Sequence, residues 1–410
     1  MIKELNKLPE NWKSVKLGDI FTIERGGSPR PIEDFITKDE DGINWIKIGD
    51  TKGVTKYINY TKEKIKPEGI KKSRMVYEGD FILSNSMSFG RPYIMKTSGC
   101  IHDGWLVIRQ NDDIDKDYLY YSLSSSAVFS QFSRLAKGST VKNLNIEAVK
   151  GVTITLPPKT SQLAIVSKIE ELFSELDKGI EQLKNVQQQL ITYRQSVLKW
   201  VFEGKYSKNL DKWESKTMKE ISLKIVVGYV GPVTKHIVHS GGIKFLSTTH
   251  IGENELLEHD IREISTDFND RNKKSQVIPG DIIIARHGDS GKACIIPEWI
   301  NLAQVSNAVI LRPNLNIVLP KFICYRLNAE RQQMQKMKVG GVFQVVNTKS
   351  MESFKILVPP IEEQNKILTI IESRLSVTDK MEESISESLL QAEALRQSIL
   401  KNAFEGRLIN

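Results

Sequence analysis

The sequence has no run of 18 apolar residues, only three cysteines and no charged or apolar block that would mark a secretion signal at its start. It therefore offers no segment long enough to cross a bilayer as a helix, and we expect a cytoplasmic protein. Cys100, Cys294 and Cys324 lack the close paired spacing of zinc ligands or of a redox motif. We expect three reduced, buried thiols.

Two segments approach catalytic motifs without completing them. A phosphate-binding loop needs a glycine five residues before Gly291, where the chain has Arg286. The Pro-Pro pair of an amino-methyltransferase follows a polar residue, whereas here the two pairs follow Leu156 and Val358. We therefore predict no catalytic residues. The clustered carboxylates and lysine of a nuclease, which no motif marks in a single sequence, are the alternative.

The candidate metal ligands and the net charge say little about function. His102 and His287 have no second ligand at metal spacing, so we predict no metal site and interpret both as polar loop residues or contacts to a polyanionic partner. The 58 basic and 50 acidic residues give a formal charge of +8, which favours a polyanionic partner only slightly. A chain of 410 residues predicts two or three domains.

The sequence contains an internal repeat with a period near 200 residues. Residues 157–206 align without gaps to residues 359–408, and 19 of the 50 pairs are identical. Random pairing would give about three identities. The remainder repeats more loosely, for example at Gly79 and Gly280 and at Gly90 and Gly291, while the loops between these anchors differ. The chain therefore arose by duplication of one framework with two different sets of loops.

Each half begins with short β-rich runs separated by polar turns and then changes to helical periodicity after Pro-Pro. We predict globular α+β domains at 1–157 and 207–359, and long helices in 158–206 and 360–410. Each helix ends at an FEG sequence, whose glycine suits a helix C-cap. Recurrent glycines elsewhere are interpreted as turn formers with positive φ: Gly26, Gly27, Gly79, Gly90, Gly228, Gly280 and Gly291.

Both predicted helices carry an apolar stripe that needs a partner. A helix of about 45 residues spans roughly 65 Å and is unstable alone with such a stripe exposed. We expect the two helices to pair as an antiparallel coiled coil, which gives the chain pseudo-twofold symmetry. Packing within each half and a homodimer seam are the alternatives.

The whole chain resembles the specificity subunits of type I restriction-modification systems. Two variable domains precede long helices that open after Pro-Pro and close at RQSVLKWVFEGK and RQSILKNAFEGR. The segments Glu24–Arg30 and Lys137–Asn145 are similar to parts of that family's target recognition domains. The second half departs from both, with VVGYVGP and VGGVFQVVN in the matching places.

The resemblance implies a DNA-binding subunit without catalytic activity. Each globular domain, one target recognition domain, would read one half of a bipartite, interrupted site in double-stranded DNA. The helices would act as spacers that fix the half-site spacing and would dock methyltransferase subunits. Because the helix is repeated, two such subunits are expected. S-adenosylmethionine and ATP would belong to those subunits and to restriction/translocase subunits, with no cofactor in this chain and no membrane involved.

Reading DNA requires hydrogen-bonding side chains for base edges and cations for phosphates. In the first domain the candidates are Arg25, Ser28, Arg30, Lys47, Ser84, Asn85, Ser86, Arg91, Lys137, Ser139, Thr140, Lys142 and Asn143. In the second domain they are Thr248, Thr249, His250, Arg286, His287, Lys292, Gln304, Asn307, Gln344 and Asn347. Arg286, His287 and Lys292 are favoured because they follow an apolar strand into a glycine-rich loop.

Polar residues also recur at matching positions of the two helices. The candidates for docking partner subunits are Arg194, Gln195, Lys199, Arg396, Gln397 and Lys401, with a solvated coiled-coil flank as the alternative. The rival function is a scaffold whose helices space two protein-binding or glycan-binding domains.

Overall fold

The computed structural model describes residues 8–86, 89–109, 113–136, 143–207, 210–287, 290–332 and 348–409. The chain folds as two compact units, Met1–Lys184 with Ser386–Asn410 and Asn185–Ile385. Each unit holds one repeat domain and part of both long helices. Within the described residues, every helix is too short or too polar to cross a membrane.

The first repeat domain is built from two five-stranded sheets, a two-stranded sheet and short helices. Its strands are β1 (Lys13–Lys16), β2 (Thr22–Arg25), β3 (Ile36–Thr37), β4 (Ile43–Ile46), β5 (Tyr57–Ile58), β6 (Glu63–Ile65), β7 (Arg74–Val76), β8 (Phe81–Ser84), β9 (Pro92–Met95), β10 (Gly99–Ile101), β11 (Trp105–Arg109) and β12 (Thr153–Leu156). Its helices are α1 (Leu17–Ile20), α2 (Lys116–Ser124), α3 (Ser126–Leu135) and α4 (Ile146–Lys150), followed by the long α5 (Lys159–Phe202). The sheet orders are β2-β11-β8-β9-β5, β3-β6-β4-β10-β7 and β1-β12.

Strand β8 explains why the first domain has three layers. Phe81 and Leu83 pack in one core with residues of α2 and α3, including Phe132. The alternating Ile82 packs in a second core with Ile46 of the other sheet. Because successive side chains of a strand point to opposite faces, a strand that is apolar throughout must be covered on both sides.

The second repeat domain has the same plan. Its strands are β13 (Glu214–Thr217), β14 (Ser222–Val227), β15 (Ile237–Val238), β16 (Ile243–Leu246), β17 (Arg262–Ile264), β18 (Gln276–Val277), β19 (Ile282–Ala285), β20 (Ala293–Ile295), β21 (Ala303–Val305), β22 (Ala308–Pro313) and β23 (Lys355–Val358). Its helices are α6 (Thr266–Arg271), α7 (Pro320–Ala329) and α8 (Thr348–Ser353), followed by the long α9 (Ile361–Phe404). The sheet orders are β14-β22-β19-β20, β15-β17-β16-β21-β18 and β13-β23. Short 3-10 helices in the two domains cover Ile32–Asp34, Ile48–Thr51, Pro67–Lys72, Leu210–Lys212, Thr234–His236, Thr248–His250 and Lys273–Ser275.

The two long helices lie antiparallel inside each unit, which confirms the predicted α+β fold with paired spacer helices. In the first unit, Ile165 and Ile169 near the start of α5 share a core with Ile399 and Ala403 near the end of α9. In the second unit, the end of α5 packs against the start of α9 in the same manner. Each helix pair is therefore part of the core beneath one repeat domain.

The last turn of each helix is anchored in a repeat domain by a phenylalanine. Phe404 meets Tyr118 of the first domain edge to face, with 5.3 Å between ring centroids. Phe202 meets Phe322 of the second domain at 5.6 Å. The following glycines, Gly204 and Gly406, have positive φ, as the predicted C-caps require.

The recurrent glycines serve two different purposes. Four of them have positive φ as expected: Gly79, Gly90, Gly280 and Gly291. For Gly26, Gly27 and Gly228 the expectation of positive φ was wrong. A Cβ atom would lie 2.1 Å from the carbonyl oxygen of His102 at Gly26 and 2.4 Å from that of Val305 at Gly228. These glycines allow the loop after β2 or β14 to touch the neighbouring backbone.

A buried glutamine ties the start of each long helix to its own unit. Gln162 accepts a hydrogen bond from the backbone N–H of Asp115 at 2.8 Å and donates to the carbonyl of Pro157. Gln364 makes the matching bonds with Leu319 and Pro359. Both glutamines are 2% exposed or less. Because the oxygen and the nitrogen of each amide are both hydrogen-bonded, another side chain would leave a buried group without its partner, which explains why both repeats have glutamine here.

Replacing Gln364 by leucine is expected to destabilise the second unit by about 1–3 kcal/mol, because the buried N–H of Leu319 loses its acceptor. Gln162→Leu should have the same effect on the first unit. Amide hydrogen exchange read unit by unit measures both changes. Gln189→Leu is the control, since Gln189 is exposed on α5 and should change stability by less than about 0.5 kcal/mol. Equal effects at the buried and exposed glutamines would refute this role.

Candidate nucleic-acid interface

In the first domain, three predicted DNA contacts line one cavity of about 910 Å³. Ser28 and Arg30 lie in the loop after β2, and Lys47 follows β4. The two loops meet because β4 and β10 pair in parallel, and the loop after β2 touches the end of β10 through the N–H of Gly27. Apolar residues complete the wall, namely Pro29, Pro31, Ile32, Ile36 and Trp45.

Asp103 lies at the centre of this group, although the sequence analysis did not select it. Its carboxylate accepts a hydrogen bond from the Ser28 hydroxyl at 2.8 Å, and its backbone carbonyl accepts from Arg25 at 3.1 Å and Asn85 at 2.9 Å. The hydrogen bond from Ser28 lowers the pKa of the Asp103 carboxyl. Asp103 was not among the predicted contacts because those were cations and neutral hydrogen-bond donors. Its position in a short polar link between two apolar strands could have indicated it from the sequence.

Two further residues of the cavity wall, Lys47 and His102, already have partners inside the domain. Lys47 forms an ion pair with Glu63. Burial lowers the pKa of His102, and the backbone N–H of Gly104 donates to its Nδ1 atom at 2.8 Å. A neutral imidazole that accepts a backbone hydrogen bond braces the link between β10 and β11 and does not supply a cation for phosphate.

Four predicted DNA contacts are buried inside their domains, and the expectation of direct contact is corrected for them. In the first domain, Ser84 and Asn85 are at most 2% exposed, and they bond to the carbonyls of Arg91 and Asp103. They hold the loops that carry exposed candidates. The sequence did not predict this burial, because both residues stand where an apolar strand gives way to a polar loop and loop residues are usually exposed.

The two buried candidates of the second domain also have structural roles. His250 is 5% exposed and accepts a hydrogen bond from the backbone N–H of Ser247, closing the start of a 3-10 helix. Gln304 is fully buried, accepts from the Ser275 hydroxyl at 2.6 Å and donates to Asn269 and Asn272. Neither side chain is available for a base edge.

The favoured candidates of the second domain surround the turn between β19 and β20. Arg286 and His287 follow β19, and Lys292 precedes β20. The backbone N–H of Ala285 donates to the carbonyl of Lys292 at 2.9 Å, which brings both sides of the turn together. His287 is exposed, whereas Arg286 and Lys292 are half-buried. Burial lowers the pKa of Arg286, yet an arginine remains charged at neutral pH.

The first domain repeats this turn between β8 and β9. The backbone N–H of Ser84 donates to the carbonyl of Arg91 at 3.1 Å, as Ala285 does to Lys292. Arg91 is exposed and Ser86 is half-buried. Each domain therefore presents a cation at the same place in the fold, with different neighbours around it.

The remaining candidates lie in a short 3-10 helix, on loops or outside the described residues. Thr249 and Asn143 are exposed, and Thr248 and Asn307 are half-buried. Asn307 has positive φ in the link between β21 and β22 and donates its backbone N–H to Tyr229. Six candidates lie outside the residues that the structure describes: Lys137, Ser139, Thr140, Lys142, Gln344 and Asn347.

The candidate docking residues divide into engaged and exposed groups. Arg194 forms ion pairs with Asp379 and Glu382 in the second unit, and Arg396 pairs with Asp177 in the first. Their recurrence is explained by the helix pairing itself. Gln397 accepts a hydrogen bond from the N–H of Ser126. Three candidates are exposed on the helices: Gln195, Lys199 and Lys401.

Comparison with known proteins covers both halves of the chain. A family model described as the type I restriction modification DNA specificity domain matches residues 9–185 and 210–391. The EcoBI type I restriction enzyme specificity subunit of Escherichia coli is 24% identical over 429 residues, covering 99% of this chain and 88% of its own length. The putative MjaX specificity subunit of Methanocaldococcus jannaschii is 26% identical, with coverage of 99% and 95%.

Two solved structures share the fold. A chain solved in work on complex assembly and conformational transition of the type I R-M system is 19% identical, with a TM-score of 0.75 and coverage of 98% of this chain and 99% of its own. The HsdS subunit from Thermoanaerobacter tengcongensis is 18% identical, with a TM-score of 0.55 and coverage of 99% and 100%.

Proposed function

Because the chain belongs to the type I restriction-modification DNA specificity family, we propose that it is the subunit that reads the DNA target of such a system. Each repeat domain recognises one half of a bipartite, interrupted site in double-stranded DNA. The observation that carries this proposal is the duplicated domain, which presents Arg91 and Lys292 at the same turn of the fold with different surrounding loops.

The long helices set the number of base pairs between the half-sites. A helix of 44 residues is about 66 Å long, which corresponds to about two turns of B-DNA. The alternative, a scaffold for two protein-binding or glycan-binding domains, has no observation in its favour beyond the helices. A DNA reader loses affinity steeply with added salt because bound cations release counterions from phosphates, and a scaffold does not.

Catalysis belongs to the partners in this proposal. Under this proposal the chain itself binds no cofactor, methyltransferase subunits bring S-adenosylmethionine, and restriction/translocase subunits bring ATP. The duplication of the helices supports two methyltransferase subunits, one on each repeat. Gln195, Lys199 and Lys401 lie exposed where these subunits would dock.

Reversing the charge of Lys199 or Lys401 tests the two docking surfaces. Lys199→Glu is expected to weaken the binding of one methyltransferase copy about tenfold or more, because a carboxylate replaces the exposed ammonium and would repel an acidic surface on the partner. The double variant should lose both copies. Native mass spectrometry of the co-expressed complex gives the subunit ratio. Lys184→Glu is the control, because Lys184 is also exposed on α5 but its repeat position holds Ser386. If Lys199→Glu still binds two methyltransferase copies, Lys199 does not belong to a docking surface.

The experiment that tests the function is co-expression with a methyltransferase subunit, followed by mapping of methylated adenines in genomic DNA. We expect a single bipartite motif that changes in one half when one repeat domain is exchanged for that of another specificity subunit. Identical methylation with and without this chain would contradict the proposal and favour the scaffold.

A further inference from the structure

Arg30 is an exposed cation that lies beside a carboxylate. Its side chain is 84% exposed, and its Nη2 atom lies 4.0 Å from the Oδ2 atom of Asp103, within ion-pair range but beyond hydrogen-bond distance. Its backbone lies between Pro29 and Pro31, and proline fixes its own φ and restricts the residue before it. The chain therefore limits where the Arg30 side chain begins, and the Asp103 carboxylate attracts its charged end.

The carboxylate of Asp103 is itself fixed before any ligand arrives. Ser28 donates to Oδ1 at 2.8 Å, which leaves Oδ2 on the side of Arg30. The backbone of Asp103 is braced by Arg25 and Asn85. A carboxylate in this place repels phosphate, so its contribution to DNA binding comes through the cation that it orients.

We propose that Asp103 is a positioning residue for specificity, which aims Arg30 at a base edge in the first half-site and keeps it from binding a phosphate without sequence preference. This inference rests on the proposed DNA-reading function. An arginine that reads guanine needs two parallel N–H donors in a fixed plane, whereas a phosphate accepts the same side chain in many orientations. A carboxylate that restricts the orientation of the guanidinium therefore raises specificity more than affinity.

The second domain has no equivalent arrangement. The link between β10 and β11 is His102-Asp103-Gly104, whereas the link between β21 and β22 is only Ser306-Asn307. The loop after β14 carries Val230, Gly231 and Pro232 where the first domain has its Ser-Pro-Arg sequence. The inference accordingly applies to one half-site only.

Asp103→Asn separates orientation from folding, because asparagine keeps the shape and an oxygen that accepts from Ser28. The full chain, in complex with its methyltransferase subunit, is mixed with a library of duplexes randomised over both half-sites, and the bound fraction is sequenced at two salt concentrations. We expect one position of the first half-site to lose most of its preference, by about 5- to 150-fold, while the second half-site keeps its own. Total affinity should fall less than threefold.

Arg30→Ala supplies the second variant and should relax the same position. The double variant should be no more relaxed than Arg30→Ala alone, because the two residues act through one contact. Asp34→Asn is the control, since it removes the same charge from an exposed side chain of the same loop region and should leave the preference unchanged.

Three outcomes would overturn the inference: unchanged preference in Asp103→Asn, equal loss at all positions of the first half-site, or relaxation of different positions by Asp103→Asn and Arg30→Ala. Absence of any sequence preference in the unmodified complex would instead contradict the proposed function itself. The two failures are therefore distinguishable in one experiment.

Discussion

Replacing Phe404 by alanine is expected to destabilise the first repeat domain, almost 300 residues earlier in the chain, by about 3 kcal/mol. Phe404 is 8% exposed and packs edge to face on Tyr118, and its backbone carbonyl accepts a hydrogen bond from Thr155 at 3.0 Å. Truncation leaves a cavity in this core, whose described members all belong to the first unit. Urea denaturation followed by amide exchange in each unit measures the effect.

Leu390 is the matched control for Phe404. It is a large apolar residue on the same helix, but it is 74% exposed, so Leu390→Ala should change stability by less than about 0.5 kcal/mol. Phe202→Ala should produce the mirror result, with loss of protection in the second unit through Phe322. Loss of protection in the second domain on Phe404→Ala would show that the helix ends are not anchored as described.

Replacing Arg286 by alanine is expected to reduce discrimination at one base pair of a single half-site by about 1–3 kcal/mol, the usual effect of losing a bidentate arginine contact to guanine. Arg286 leaves β19 at the turn that Lys292 completes, which is where the first domain places Arg91. Methylation rates on duplexes substituted one base pair at a time measure the change.

Arg271→Ala is the control for this experiment because it removes the same charge from an exposed side chain on α6. It should change neither half-site. Equal losses at both half-sites on Arg286→Ala, or no loss, would remove Arg286 from the base-reading residues. A uniform loss across all sequences that diminishes the salt dependence would instead identify a phosphate contact.

The elements themselves could be predicted from the sequence because their signals are local. Alternating or continuous apolar runs predict strands such as β8 and β11, and apolar steps of three and four after Pro-Pro predict α5 and α9. The duplication, the glycine C-caps and the family were equally accessible. Antiparallel pairing of the two helices was predicted because each carries a long apolar stripe that must be covered, and the two stripes have the same length.

Burial within a polar loop could not be predicted in this way. Gln304 and His250 have the composition of base-reading residues, and only the packing around them shows that their polar atoms are satisfied inside the domain. The same holds for Arg194 and Arg396: the sequence shows that they recur, and only the structure shows their carboxylate partners on the opposite helix.

The sequence by itself determined the repeat, the strands, the two helices and the family, since each depends on residues near one another in the chain or on matches between the halves. Only the tertiary structure decided which polar side chains act together. Asp103 meets Ser28 across 75 residues, and Thr155 meets Phe404 across 249. Contacts between such distant segments depend on how sheets and helices pack, and no local pattern in the chain encodes them.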